Sequence, residues 1–173
     1  MKLKRLVVGA LCAALYTVLA NYVSIHTLNM KLTFDMLPVL LCSILYGPVD
    51  GLMVGLVGNF ISQLIGPYGL SITTPLWMLP AGVRGLLVGF WAKGKGFRIE
   101  KVGLLFPVIL LTGILSTIIN TGVMWVDAKV FGYPFAATIP TILLRLIACL
   151  VTSVLFTAVL PPLTTALKKA KVV

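Results

Sequence analysis

Apolar residues run through this chain in long, nearly unbroken stretches separated by short polar punctuation. A water-soluble domain would instead show stripes of period 3.6 or 2. Six stretches approach the length of about 20 mostly apolar residues that a membrane-crossing helix needs: about 6–25, 35–47, 48–66, 75–93, 102–126 and 137–167. The second is short and ends at Gly47-Pro48, so helices two and three should form a tight hairpin. The pattern predicts an all-α integral membrane protein, a single six-helix transmembrane domain over residues 1–173. Between the helices, segments 26–34 and 66–74 are polar loops long enough to act as lids.

The first stretch also has the outline of a signal peptide, with Lys2, Lys4 and Arg5 before it and Val18-Leu19-Ala20 as a cleavage-like site. It exceeds the usual apolar core of about 7–15 residues, so retention as a helix is expected.

Composition sharpens this picture. Only 10% of residues are charged, against about 25% in soluble domains, which excludes a single water-soluble core. The net charge of +10 does not mark a nucleic-acid binder, because the cations sit in short clusters between apolar runs. Lys2, Lys4 and Arg5 precede helix one. Lys93, Lys95, Arg98 and Lys101 lie between helices four and five, and Lys168, Lys169 and Lys171 follow helix six. With an even number of spans these clusters share one side, while the opposite loops carry only Lys31 and Lys129. Both termini are therefore expected in the cytoplasm of a multi-pass plasma-membrane protein. Cys12, Cys42 and Cys149 lie in apolar stretches without CxxC spacing and read as buried thiols.

Two cations remain, both inside spans: Arg84 and Arg145. Each lies roughly 12–13 Å from an outer helix end at 1.5 Å per residue. An arginine at that depth costs about 2.5–3.5 kcal/mol, so each should face the bundle interior. Asp35 and Asp127 are possible structural partners, and a polar ligand is the alternative. Arg145 is expected to be structural, because it can snorkel upward. Asn59 and Gln63 fall one turn apart in the outer half of helix three. Asn120 lies in the outer part of helix five, and Trp77 and Trp125 near outer helix ends. An interfacial aromatic belt would account for the tryptophans singly. Together Asn59, Gln63, Trp77, Arg84, Asn120 and Trp125 predict an outward-facing substrate site. Ala10 and Ala14 form a small-xxx-small stripe on helix one, and Gly47, Gly51 and Gly55 another on helix three, faces suited to close helix approach.

Much is missing. There is no P-loop, HExxH or GxSxG. One histidine, His26, and four acids leave no metal site and little for proton coupling, so no cofactor is expected. Ser116 and Ser153 have no histidine at membrane depth to activate them, which argues against an intramembrane enzyme. A structural subunit of another membrane complex, or a stand-alone small transporter, remains an alternative to a binding subunit.

The stretch Leu32-Thr-Phe-Asp-Met-Leu-Pro38, followed by Tyr46-Gly-Pro-Val-Asp-Gly51 and Gly55-Leu-Val-Gly-Asn59, resembles the helix-two to helix-three region of the substrate-binding S components of energy-coupling factor (ECF) vitamin transporters. The Ala10-xxx-Ala14 motif and the six-span layout are similar to the same group. At 66–75 the chain differs from the longer Pro- and Phe-rich segment of folate-type members. The resemblance implies a bacterial membrane subunit that binds a water-soluble vitamin or precursor from outside with high affinity. It further implies association with a transmembrane coupling subunit and two ATPase subunits that hydrolyse ATP, with Ala10 and Ala14 as the docking face. Amides, an arginine and tryptophans suit a flat heteroaromatic ring. Hydroxymethylpyrimidine or pyridoxine is the expected ligand type, with cobalamin and folate open.

Overall fold

The computed structural model describes residues 2–27, 30–66, 69–96, 102–135 and 139–169. Arg98, Lys101 and Lys171 of the cationic clusters, and 67–68 of the second outer loop, lie outside the described residues. Six helices form, α1 (Lys2–Asn21), α2 (Met36–Tyr46), α3 (Pro48–Ile65), α4 (Thr74–Gly94), α5 (Val102–Phe131) and α6 (Ile139–Lys169). Between α1 and α2 the chain forms an antiparallel hairpin of β1 (Ser24–Thr27) and β2 (Met30–Thr33), with Ser24 opposite Thr33. The expected lid loop at 26–34 is thus largely a paired ribbon, and α1 ends at Asn21 instead of running on to 25.

The helices alternate in direction, and side-chain contacts fix which ends meet. Arg5 of α1 pairs with Asp50 of α3, and its Nη2 donates to the Tyr46 carbonyl at 3.0 Å. At that same end a buried apolar cluster joins Leu41, Ile44 and Leu45 of α2 to Val88 and Ala92 of α4, Leu105 and Ile109 of α5, and Phe156 and Leu160 of α6. Lys93, Lys95, Lys168 and Lys169 gather at this end too, so by the positive-inside rule it faces the cytoplasm. At the opposite end Asn21 Nδ2 donates to Ser62 Oγ at 3.1 Å, joining α1 to α3.

The six helices are not six equivalent spans. Stretches within α1, α3, α5 and α6 are each long and apolar enough to cross a membrane. The α2 helix has 11 residues, about 16 Å at 1.5 Å per residue, half the hydrocarbon thickness of about 30 Å. Its residues Pro38–Leu45 are all buried, which explains a sequence apolar on every face. α2 is a sheathed central helix, while α5 and α6 present Leu111, Ile118, Leu143, Ile147, Leu150 and Val154 outward to lipid.

Glycines set the helix spacing. Gly47 turns the chain between α2 and α3 at φ +109°, in the left-handed region where a side chain is strained, and so precedes the α3 stripe instead of belonging to it. Gly51 and Gly55 face α4. A Cβ on Gly85 would stand 2.4 Å from the Gly51 carbonyl oxygen, and one on Gly55 would stand 2.7 Å from the Ala81 carbonyl. Gly85→Ala should therefore destabilise the fold by about 1–3 kcal/mol through overpacking. Gly94→Ala, with nothing within 4 Å of the new methyl, should melt within a degree or two of the parent. Thermal melts of the purified variants compare the two, and equal melting would refute backbone contact between α3 and α4.

Candidate substrate cavity

The glycine-tight α3–α4 pair holds one wall of a cavity of about 360 Å³. Tyr16 of α1, Asn59 of α3, Trp77 and Arg84 of α4, Asn120 of α5 and Arg145 of α6 all line it, together with Thr33 and Asp35 at the β2–α2 junction.

Asn59 and Trp77 are held from behind. Gly58 leaves room for the Tyr16 ring, since a Cβ there would lie 2.8 Å from Tyr16 Cγ. The Tyr16 hydroxyl accepts from Asn59 Nδ2 at 2.9 Å, and Asn59 Oδ1 accepts from Gln63 Nε2 at 2.5 Å. Gln63 does not line the cavity; it stands one turn away and fixes the amide of Asn59. Trp77 Nε1 donates to Asp127 Oδ1 at 3.4 Å, and that carboxylate also accepts from Thr73 Oγ1 at 2.5 Å and the Tyr133 hydroxyl at 3.0 Å. Burial, and then the neighbouring carboxylate, push the Tyr133 phenol above its ordinary range, so it stays a donor at neutral pH. Asp127 is thus committed to the α4 start and the α5–α6 connection, and pairs with neither intramembrane arginine.

Arg84 is 6% exposed and reaches under Gly113, where its Nη2 donates to the Ile109 carbonyl at 3.3 Å. Of the two possible roles for Arg84, no ion pair to Asp35 is formed, although both line the cavity. Arg145 lies in the cavity wall, and its Nη1 has no partner. Its expected purely structural place is therefore corrected. The snorkelling assumption sent it toward the interface, whereas Arg145, Ala148, Cys149, Thr152 and Phe156 form one stripe of α6 turned inward. That i, i+3, i+4, i+7 spacing was readable. Tyr16, Asp35, Ser116 and Thr117 were also missed as wall residues. Tyr16 carried a signal, a hydroxyl in mid-span on the face opposite Ala14.

Trp125 departs from expectation as well. It is half exposed on α5, outside the wall, with Lys129 Nζ 3.7 Å from its ring centroid. That stack marks it as an interfacial aromatic. Ala10 and Ala14 are exposed on the outer face of α1, whose inner face buries Cys12, Ala13, Tyr16 and Ala20. No group of three or more metal-ligating side chains occurs among the described residues.

Residues 1–169 match the family model described as ECF-type riboflavin transporter, S component. The chain belongs to this family. It is 30% identical over 139 residues to a UPF0397 protein of Aliivibrio salmonicida, covering 76% of this chain and 74% of that one. With a UPF0397 protein of Aliivibrio fischeri it shares 31% over 148 residues, covering 81% and 71%. Among solved structures, FolT bound with folic acid superposes at TM-score 0.72 and 17% identity over 93% of this chain and 96% of that one. The S component of a bacterial ECF transporter superposes at TM-score 0.70 and 22% identity over 97% and 99%. These two likenesses show the fold, and the family makes the chain a membrane-integral transporter subunit.

The two tryptophans separate wall from belt. Trp77→Ala should weaken vitamin binding by roughly tenfold or more, since a stacked aromatic contributes about 0.5–1.5 kcal/mol beyond its buried area. Trp125→Ala should leave affinity unchanged within about twofold, an energy below 0.5 kcal/mol. Titration of both purified variants with the vitamin that the parent binds checks the assignment.

Proposed function

We propose that this S component binds a flat, heteroaromatic, water-soluble vitamin from the outer side with high affinity, with riboflavin as the first candidate. The observation that carries the reading is the composition of one cavity wall. Trp77 and Tyr16 offer ring surfaces, while Asn59, Asn120 and the two arginines offer hydrogen bonds to ring nitrogens and carbonyls. The family description supports riboflavin. The cavity of about 360 Å³ lies near the small end of the roughly 300–1,000 Å³ typical of small-molecule sites. That favours a ligand of one to three rings over cobalamin. Hydroxymethylpyrimidine and pyridoxine share the ring chemistry and belong in the same screen.

Energy for uptake comes from partners in this reading: a transmembrane coupling subunit and two ATPase subunits. Ala10 and Ala14, small and exposed on α1, suit close approach by a partner helix. The structural-subunit reading leaves the polar cavity without a purpose.

Two experiments test the proposal. Purified protein in detergent should bind one vitamin of a riboflavin, pyridoxine, hydroxymethylpyrimidine, folate and cobalamin panel at nanomolar Kd without any partner. Asn59→Ala and Arg84→Ala should each weaken that binding about 5- to 150-fold, the effect of burying a ligand group without its hydrogen bond at roughly 1–3 kcal/mol. Gln63→Ala should fall at the lower end, since it acts through Asn59. No binding across the panel would remove the function.

In cells with the whole transporter, Ala10→Trp or Ala14→Trp should abolish uptake while leaving affinity intact, because a bulky ring blocks helix contact. Normal uptake by both variants would remove the docking face.

A further inference from the structure

Arg84 on α4 and Arg145 on α6 line the same cavity. Arg84 is nine-tenths buried, yet its Nε has no hydrogen-bond partner, and its Nη2 donates only to a backbone carbonyl. Nη1 of Arg145 is likewise buried and unpartnered. Among the described residues neither guanidinium forms an ion pair. The nearby acids are engaged elsewhere: Asp50 holds Arg5, and Asp127 accepts from Thr73, Trp77 and Tyr133. Asp35 is the one carboxylate in the wall.

The charge balance of the cavity is therefore two guanidinium groups against one carboxylate. Arginine does not shed its proton in proteins, so an excess positive charge stays in a pocket surrounded by apolar helices. Leaving such a charge unpaired is unfavourable. Among the described residues no further acid relieves it, since Asp50 and Asp127 are satisfied elsewhere. The compensating group must come from outside the chain.

Building on the vitamin-binding reading, we propose that the cavity takes the anionic form of its vitamin in preference to the neutral one: a heteroaromatic ring carrying one carboxylate or phosphate ester, the anion held by Arg84 and Arg145 while the ring lies against Trp77. A guanidinium presents its N–H groups as a planar fork that matches carboxylate and phosphate oxygens. The two free nitrogens in the cavity lining supply donors to one such group. A neutral vitamin of the same ring leaves the excess charge standing and binds more weakly.

The test uses matched pairs that differ in charge, titrated into the full chain in lipid nanodiscs at neutral pH. The pairs are nicotinamide with nicotinate, pyridoxine with pyridoxine 5′-phosphate, and riboflavin with riboflavin 5′-phosphate. The first isolates a carboxylate, and the other two a phosphate ester. The anionic member of at least one pair should bind about tenfold or more tighter than its neutral partner. Arg84→Gln and Arg145→Gln should each weaken the anionic member more than the neutral one, so that the preference falls to about threefold or less. The parent's preference is decisive by itself, so a variant that fails to fold does not shield the proposal. Should a neutral member bind as tightly as its anionic partner in every pair that binds, the anion proposal falls and the vitamin-binding function stands. A preference that survives both glutamine variants also overturns it. If no member of any pair binds, and the wider vitamin panel is silent too, both readings fall together.

Discussion

The approach of the α3 backbone to the α4 backbone is the constraint on which the remaining geometry rests. Lipid tails are as apolar as leucine, so no hydrophobic drive pushes two spans together inside a bilayer. What holds them is dispersion contact, which grows as backbones close and loses roughly a quarter to a half of its strength with a gap of about 0.5–1 Å. Gly51, Gly55 and Gly85 permit that closeness, and each leaves no room for a methyl group. Asn59 lies one turn beyond Gly55, and Arg84 is the neighbour of Gly85. The same contact that joins the helices thereby sets how far the amide and the guanidinium stand from each other.

Polar groups are arranged so that few are left over. Asn59 is positioned by Tyr16 and Gln63, and Trp77 by Asp127. Such backing fixes rotamers before a ligand arrives, and a preordered wall loses less entropy on binding. The unsatisfied nitrogens of Arg84 and Arg145 are the exception, and they occur where a ligand would sit.

The helices were legible because apolar run length is a direct consequence of bilayer thickness, and the charge clusters gave their direction. Less legible were features decided by neighbours. Residues 24–27 and 30–33 mix polar and apolar types with no clear period, and only pairing across the ribbon makes them strands. The α5 helix runs five residues past its expected end because Asp127 and Lys129 find partners at the outer surface. Asn59, Trp77, Arg84 and Asn120 share the cavity, and helical spacing with depth was enough to group them. Arg145 turns inward and Trp125 outward by rotation about the helix axis, and a helix with almost uniform apolarity around its circumference does not reveal that rotation.

Beneath the cavity, the buried cluster of Leu41, Ile44, Leu45, Val88, Leu105, Ile109 and Leu160 packs the cytoplasmic end with apolar side chains. Such a seal is an insulator. Neither water nor a hydrated ion can follow a captured molecule through it without meeting the full cost of desolvation. The protein can therefore be made in excess over any energising machinery without short-circuiting the membrane potential, since a loaded copy waiting in the bilayer conducts nothing.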